Sequence, residues 1–184
     1  MNEQINLTDS VQASVVARNG LVEDHAAPEL TYTFEAYDRH GKLKWREEFK
    51  NLVTTVGKND ILDKYFQGSG YTAAWFLGLI NSSGYSAVAA GDTAASHAGW
   101  TETSAYTAAT RPAVSWAAAA AGSKSASAAV SFTINATVTI KGAFLISNDT
   151  KGGTTGVLYS CGAFAADRAL VNTDILNVNV TVNG

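Results

Sequence analysis

Three histidines, one cysteine and two close carboxylate pairs are the residues of this chain with the most obvious capacity for chemistry. His25, His40 and His97 lie far apart, with no i, i+4 pairing and no cysteine close to any of them. A tetrahedral metal site needs clustered donors, so none is expected. Cys161 stands in the apolar series Val157, Tyr159, Cys161, Ala163 and reads as a small core residue rather than a nucleophile. Being the single cysteine, it forms no intrachain disulfide, and the fold must rest on burial. General acid–base catalysis needs two carboxylates in one cleft with separated pKa values. Glu47 and Glu48 are strand neighbours and point to opposite faces, while Asp60 and Asp63 read as solvated acids on an early helical turn. No nucleophile elbow, phosphate loop or dinucleotide fingerprint is present. The chain reads as non-catalytic, with no cofactor.

Trp45, Trp75, Trp100 and Trp116 are the remaining chemically distinctive residues. Exposed aromatics on a β-sandwich can stack on sugars, whereas a core or subunit-interface role is the commoner fate of tryptophan. Trp100 has the least regular surroundings. With Val11, Val15, Val16 and Leu21 of the N-terminal segment, it forms the set of candidate partner contacts.

The elements that would position these residues are mostly strands. Residues 1–28 read as an arm, mixed polar and small, with one short apolar patch from Val11 to Val16. A charged hairpin follows at 30–49: Tyr32, Phe34 and Ala36 alternate with polar positions, Asp38-Arg39-His40-Gly41 signals a turn, and Leu43, Trp45, Glu47 and Phe49 alternate again. The period then changes. Ile61, Leu62, Tyr65 and Phe66 share one helical face, predicting one short helix near 56–66 that ends at Gly68. Ala74 to Asn81 reads as a strand buried on both faces, and Pro112, Val114 and Trp116 as another, with Ala117–Ala121 a loop. From Val130 to Ile146 every even position is apolar or glycine, a period of two, with a break expected near Asn135-Ala136. Val157–Ala163 and the alternation Leu176, Val178, Val180, Val182 complete about eight strands. The economical fold is an all-β, mainly antiparallel β-sandwich, one domain over 29–184.

Composition sets the function class. Of 184 residues, 46% are hydrophobic and only 16% charged. Up to Phe66 there are 8 Lys/Arg and 11 Asp/Glu, against 5 and 5 afterwards. The later part therefore keeps itself soluble with Ser, Thr, Asn and Gly, a surface suited to extracellular proteins, virion components or sheets beside neighbours. A net charge of −3 leaves no basic stripe for nucleic acid. The polar start predicts no secretory leader, and no apolar stretch approaches the ~18–20 residues of a membrane span.

Several segments resemble a known group. Asn51-Leu-Val-Thr-Thr-Val-Gly57, Ile61-Leu-Asp-Lys-Tyr65, Ala74-Trp-Phe-Leu-Gly-Leu79, Ala94 to Glu102, Ala109-Thr-Arg-Pro112 and Gly142-Ala-Phe-Leu145 resemble small virion proteins of tailed bacteriophages. The likeness covers roughly residues 50–182 and leaves the arm and the hairpin outside. It implies a jelly-roll-like sandwich and a head decoration (cement) protein, a dimer or trimer on the outer capsid surface, made in the host cytoplasm. The expected partner is the major capsid protein, with neither nucleic acid nor membrane. The alternative is a receptor- or glycan-binding domain of a head or tail fibre. A virion-borne glycan hydrolase would need facing carboxylates that the sequence does not offer.

Overall fold

The computed structural model describes residues 28–68, 70 and 74–184. They form an all-β sandwich of two sheets, every pairing antiparallel, with one short helix, as the alternation predicts. The described residues form ten strands rather than about eight: β3, β5 and β6, pieces of two or three residues, lie below the reach of a period-two pattern, and the strand expected near Val114 does not form. The strands are β1 (Glu29–Tyr37), β2 (Leu43–Lys50), β3 (Leu52–Val53), β4 (Phe76–Asn81), β5 (Glu102–Thr103), β6 (Ser123–Ser125), β7 (Val130–Thr133), β8 (Val138–Ile146), β9 (Leu158–Leu170) and β10 (Ile175–Asn183), with α1 (Thr55–Phe66) between β3 and β4. The first sheet runs β2-β1-β10-β6, with β7 also on β10, and the second runs β3-β9-β8-β4-β5.

The hairpin forms as expected. Asp38 builds its turn by accepting the amides of His40 and Lys42 on Oδ1, at 2.8 and 3.0 Å, and Gly41 supplies the left-handed φ of +78°. These backbone donors hold the Asp38 carboxyl below its usual pKa. Tyr32, Phe34 and Ala36 point into the sandwich opposite Phe49, Glu47 and Trp45, while Thr33, Glu35, Arg46 and Glu48 point out.

The even-position stripe breaks where predicted, but its two halves enter different sheets. β7 joins the first sheet through β10, and β8 joins the second between β9 and β4. The main core lies between the sheets and is rich in aromatic rings. Phe34, Phe49 and Phe164 meet at centroid distances of 4.7–5.4 Å. The strand expected around Val114 is instead a run with isolated bridges, Phe76 to Ala113 and Trp116 to Ala126. Pro112 has no amide hydrogen for a ladder.

Helix α1 departs from its expected packing. Thr54 caps it, accepting the Gly57 amide at 3.1 Å and donating to the Leu158 carbonyl. The buried residue is Gly57, which lies so close to β9 that a Cβ there would stand 2.4 Å from the Tyr159 carbonyl oxygen. The helix therefore docks by backbone. Of its apolar face only Ile61 packs on the core, and Leu62, Tyr65 and Phe66 are 43%, 80% and 77% exposed.

Candidate interaction surfaces

The sequence-predicted contacts separate. Val11, Val15, Val16 and Leu21 lie outside the described residues. Trp100 does not offer an exposed ring: it is 2% exposed. A long loop from Ser82 to Thr101 folds over the outer face of the second sheet and plants Trp100 on Phe144, forming a second, smaller core with Ile80, Ile146, Leu158 and Cys161. The Trp100 indole donates to Asp92 Oδ2 at 2.8 Å, and His97 stacks on the ring at a centroid distance of 3.9 Å. The one signal in the sequence that could have marked this loop as anchored is Asp92, a carboxylate set in an Ala-rich stretch. Cys161 is buried in the same cluster, where desolvation pushes its thiol up to about 12.

The carboxylates also have structural partners. Glu47 points inward and pairs with Arg168 across the edge where β2 approaches β9. Asp60 pairs with Lys64 one helical turn on, at 3.0 Å. The most buried pair escaped sequence reasoning, since nothing about Glu102 and Arg111 nine positions apart marks them. Arg111 is 3% exposed and grips Glu102 in a fork, Nε to Oε1 at 2.9 Å and Nη2 to Oε2 at 2.8 Å. Its Nη1 donates to the Asn148 carbonyl, and the Gly152 amide donates back to Glu102. The fork thereby ties the 148–153 turn to β5. It forms one wall of a concavity of about 620 Å³, in which the Arg111 fork is already committed to protein acceptors.

Among the described residues, no group of three His, Cys, Asp or Glu side chains is placed to hold a metal ion. No helix among them is long and apolar enough to cross a membrane.

Three surfaces remain as candidates for contact. The outer face of the first sheet is broad and polar: Thr31 and Thr33 on β1, Asn177 and Asn179 on β10, and Ser131 and Thr133 on β7 line up across the registers. Its charges are partnered: Glu35 pairs with Arg46 at 3.6 Å, Glu29 pairs with Lys50, and Glu48 accepts from the Thr33 hydroxyl at 3.0 Å. The second surface is the exposed apolar face of α1, where Tyr65 and Phe66 meet edge to face at 4.9 Å. The third is a groove of about 450 Å³ beside α1, walled by Ile61, Trp75, Trp116, Leu145, Tyr159 and Val182. Trp75 and Tyr159 pack at 5.3 Å on its floor, and burial pushes the Tyr159 phenol up to about 12. No family model matches the chain, and no curated protein matches it.

Proposed function

We propose that the chain is a structural protein of a tailed-bacteriophage virion, a decoration protein that binds the assembled major capsid protein and braces neighbouring capsomers. The observation that carries this reading is the exposed apolar face of α1. Leu62, Tyr65 and Phe66 stand in water on a helix held rigidly to the sandwich by Gly57 and the Thr54 cap. A contiguous apolar patch on a rigid mount is what a protein partner covers. Beside it, the β10 and β7 part of the first sheet's outer face, lined by Asn and Ser side chains, could lie against a neighbouring surface with little charge desolvation.

The resembling segments support the reading in a second way, because they fall on positions that hold this fold. Asn51–Gly57 contains β3, the helix cap and the close approach of Gly57. Ala94–Glu102 anchors the covering loop and ends at the acid of the buried fork. Ala109–Pro112 contains Arg111, and Gly142 sits where a Cβ would stand 1.9 Å from the Gly162 carbonyl oxygen. The glycan-binding alternative loses its named platform, since Trp100 is core.

The function would be mechanical: apolar area buried across seams of the shell, multiplied by many copies. The test is to purify virions lacking the protein and to add it back as wild type or as the Tyr65→Ser/Phe66→Asp variant. Reduced resistance of the bare heads to heat and low salt, restored by wild type only, is the expected result. Bare heads as resistant as wild type would sink the cementing role.

A further inference from the structure

We propose that the outer face of the first sheet binds a neutral glycan, with one sugar ring seated among Thr33, Glu35, Arg46, Asn177 and Asn179 and the adjoining ring packed on Tyr37. The proposal stands apart from the virion reading and would hold for this sandwich in any role. The registers build the site. Arg46, Glu35, Asn177 and Ser131 stand side by side in one row across β2, β1, β10 and β7, and Glu48, Thr33 and Asn179 stand in the next. Ala129, just before β7, adds only a methyl beside them, and a depression of about 150 Å³ opens among these side chains.

The depression offers hydrogen bonding without net charge. Among the described residues, the side-chain amides of Asn177 and Asn179 have no hydrogen-bond partner, and each carries two donors and an acceptor. Arg46 and Glu35 cancel in charge, yet their separation of 3.6 Å is too long for a hydrogen bond and leaves guanidinium N–H groups and a carboxylate oxygen open to a ligand. Thr33 gives its proton to Glu48 and presents its oxygen lone pairs. Sugar hydroxyls, which donate and accept at once, match such a set. Tyr37 supplies the apolar half. It stands two residues along β1 from Glu35 on the same face, about 7 Å away, and its hydroxyl donates to Glu35 Oε2 at 2.7 Å. That bond holds the ring along the sheet, where the C–H face of the adjoining sugar can pack on it.

Other occupants fit less well. A peptide that extends a sheet needs an open strand edge, and the depression lies over β1 and β10, whose ladder groups are spent on each other. A nucleic acid or an acidic glycan needs a surplus of cations that the Glu35–Arg46 pair does not supply. The depression is smaller than an ordinary small-molecule cleft, and an affinity in the millimolar range is expected of it. A neighbour laid on this face would close the site, so the measurement belongs on the free protein.

The experiment titrates the full chain with maltose, cellobiose and lactose and follows the asparagine side-chain amides in a proton–nitrogen NMR spectrum. At least one sugar is expected to shift the Asn177 and Asn179 amides along a saturating curve while the four indole N–H signals stay in place. Asn179→Ala and Tyr37→Ala should each weaken binding about fivefold, the worth of one good contact, whereas Tyr37→Phe, which keeps the ring, should retain most of it. Ser131→Ala, at the end of the first row and outside the depression, should bind as wild type does. An unchanged melting temperature shows that each variant is folded, and Asn177→Ala takes the place of Asn179→Ala if that variant is not. The site is wrong if none of the three sugars moves these amides, or if the shifts fall on the Trp75 and Trp116 indoles instead. It is equally wrong if a folded asparagine variant binds as tightly as wild type, or if glucose 6-phosphate binds more tightly than the neutral sugars.

Discussion

Replacing Arg111 by methionine removes the guanidinium that grips Glu102 while keeping most of the side-chain volume, and leaves Lys151 as a weaker cation nearby. Glu102 would then keep the Gly152 amide but lose both guanidinium hydrogen bonds, with its side chain only 7% exposed. Breaking a buried pair from one side costs about 3–5 kcal/mol, and Lys151 and the Gly152 amide compensate the remaining carboxylate only in part. For a domain of this size that corresponds to a drop in melting temperature of roughly 6–20 °C. The Glu102→Leu variant should lose a similar amount, since it orphans the guanidinium. The double variant should be less destabilised than the sum of the two, by a coupling of about 2 kcal/mol or more, because neither charge remains. It will not recover wild-type stability, as the Asn148 and Gly153 carbonyls also lose a donor. Urea unfolding of all four proteins, followed by circular dichroism at low and high salt, measures this cycle. High salt should leave the coupling largely intact, since a buried pair is poorly screened. A single-variant loss below about 1 kcal/mol, or strictly additive losses, would refute the view that this pair holds the 148–153 turn to β5.

Other perturbations follow from single contacts. Gly142→Ala drives a methyl into the Gly162 carbonyl between two central strands and should cost about 3 kcal/mol, at the upper end of overpacking, whereas Gly152→Ala, in open space, should cost less despite its positive φ. Tyr65→Ser/Phe66→Asp should change urea stability by no more than about 0.5 kcal/mol while abolishing binding to the shell; a large stability loss would place these rings in the core instead. Cys161 should resist thiol reagents at pH 8 until the protein unfolds, and labelling at the rate of a free thiol would contradict its burial. Asp38→Ala should weaken the hairpin at neutral pH. The folded-state pKa of Asp38 is depressed, so its contribution is present above the unfolded carboxylate pKa and fades as pH falls through the folded value. Wild type and variant should converge in acid, and a gap that widens there would reverse the sign.

Much of the fold was legible because period two reports burial directly. The hairpin, β10 and both halves of the long stripe follow from alternation alone. Alternation says which face is buried but not which sheet a strand joins, and so the stripe gave no sign that β7 and β8 part company. The helix was legible in extent and misleading in its face. Its apolar side chains suggested packing, while the contact that docks it is a glycine backbone on β9. The surfaces were the least visible. Trp100 depends on a loop of nearly twenty residues folding back over the second sheet, and the groove on segments distant in sequence, Trp75, Trp116 and Tyr159. Spacing along a chain carries no trace of such meetings.

The pairing of Glu29 with Asn183 makes the last strand the centre of the first sheet: β10 touches β1, β6 and β7. During synthesis the β1–β2 hairpin can close locally, yet its inner edge has no neighbour until β10 has been made. The nascent chain therefore carries an open strand edge while everything between β1 and β10 is made, a period in which edge-to-edge aggregation is dangerous. Deleting β10 would remove the common neighbour of three other strands at once. Whatever follows Gly184 emerges at the same end of the sheet as the start of β1, beside the groove that Pro28 and Val182 help to wall.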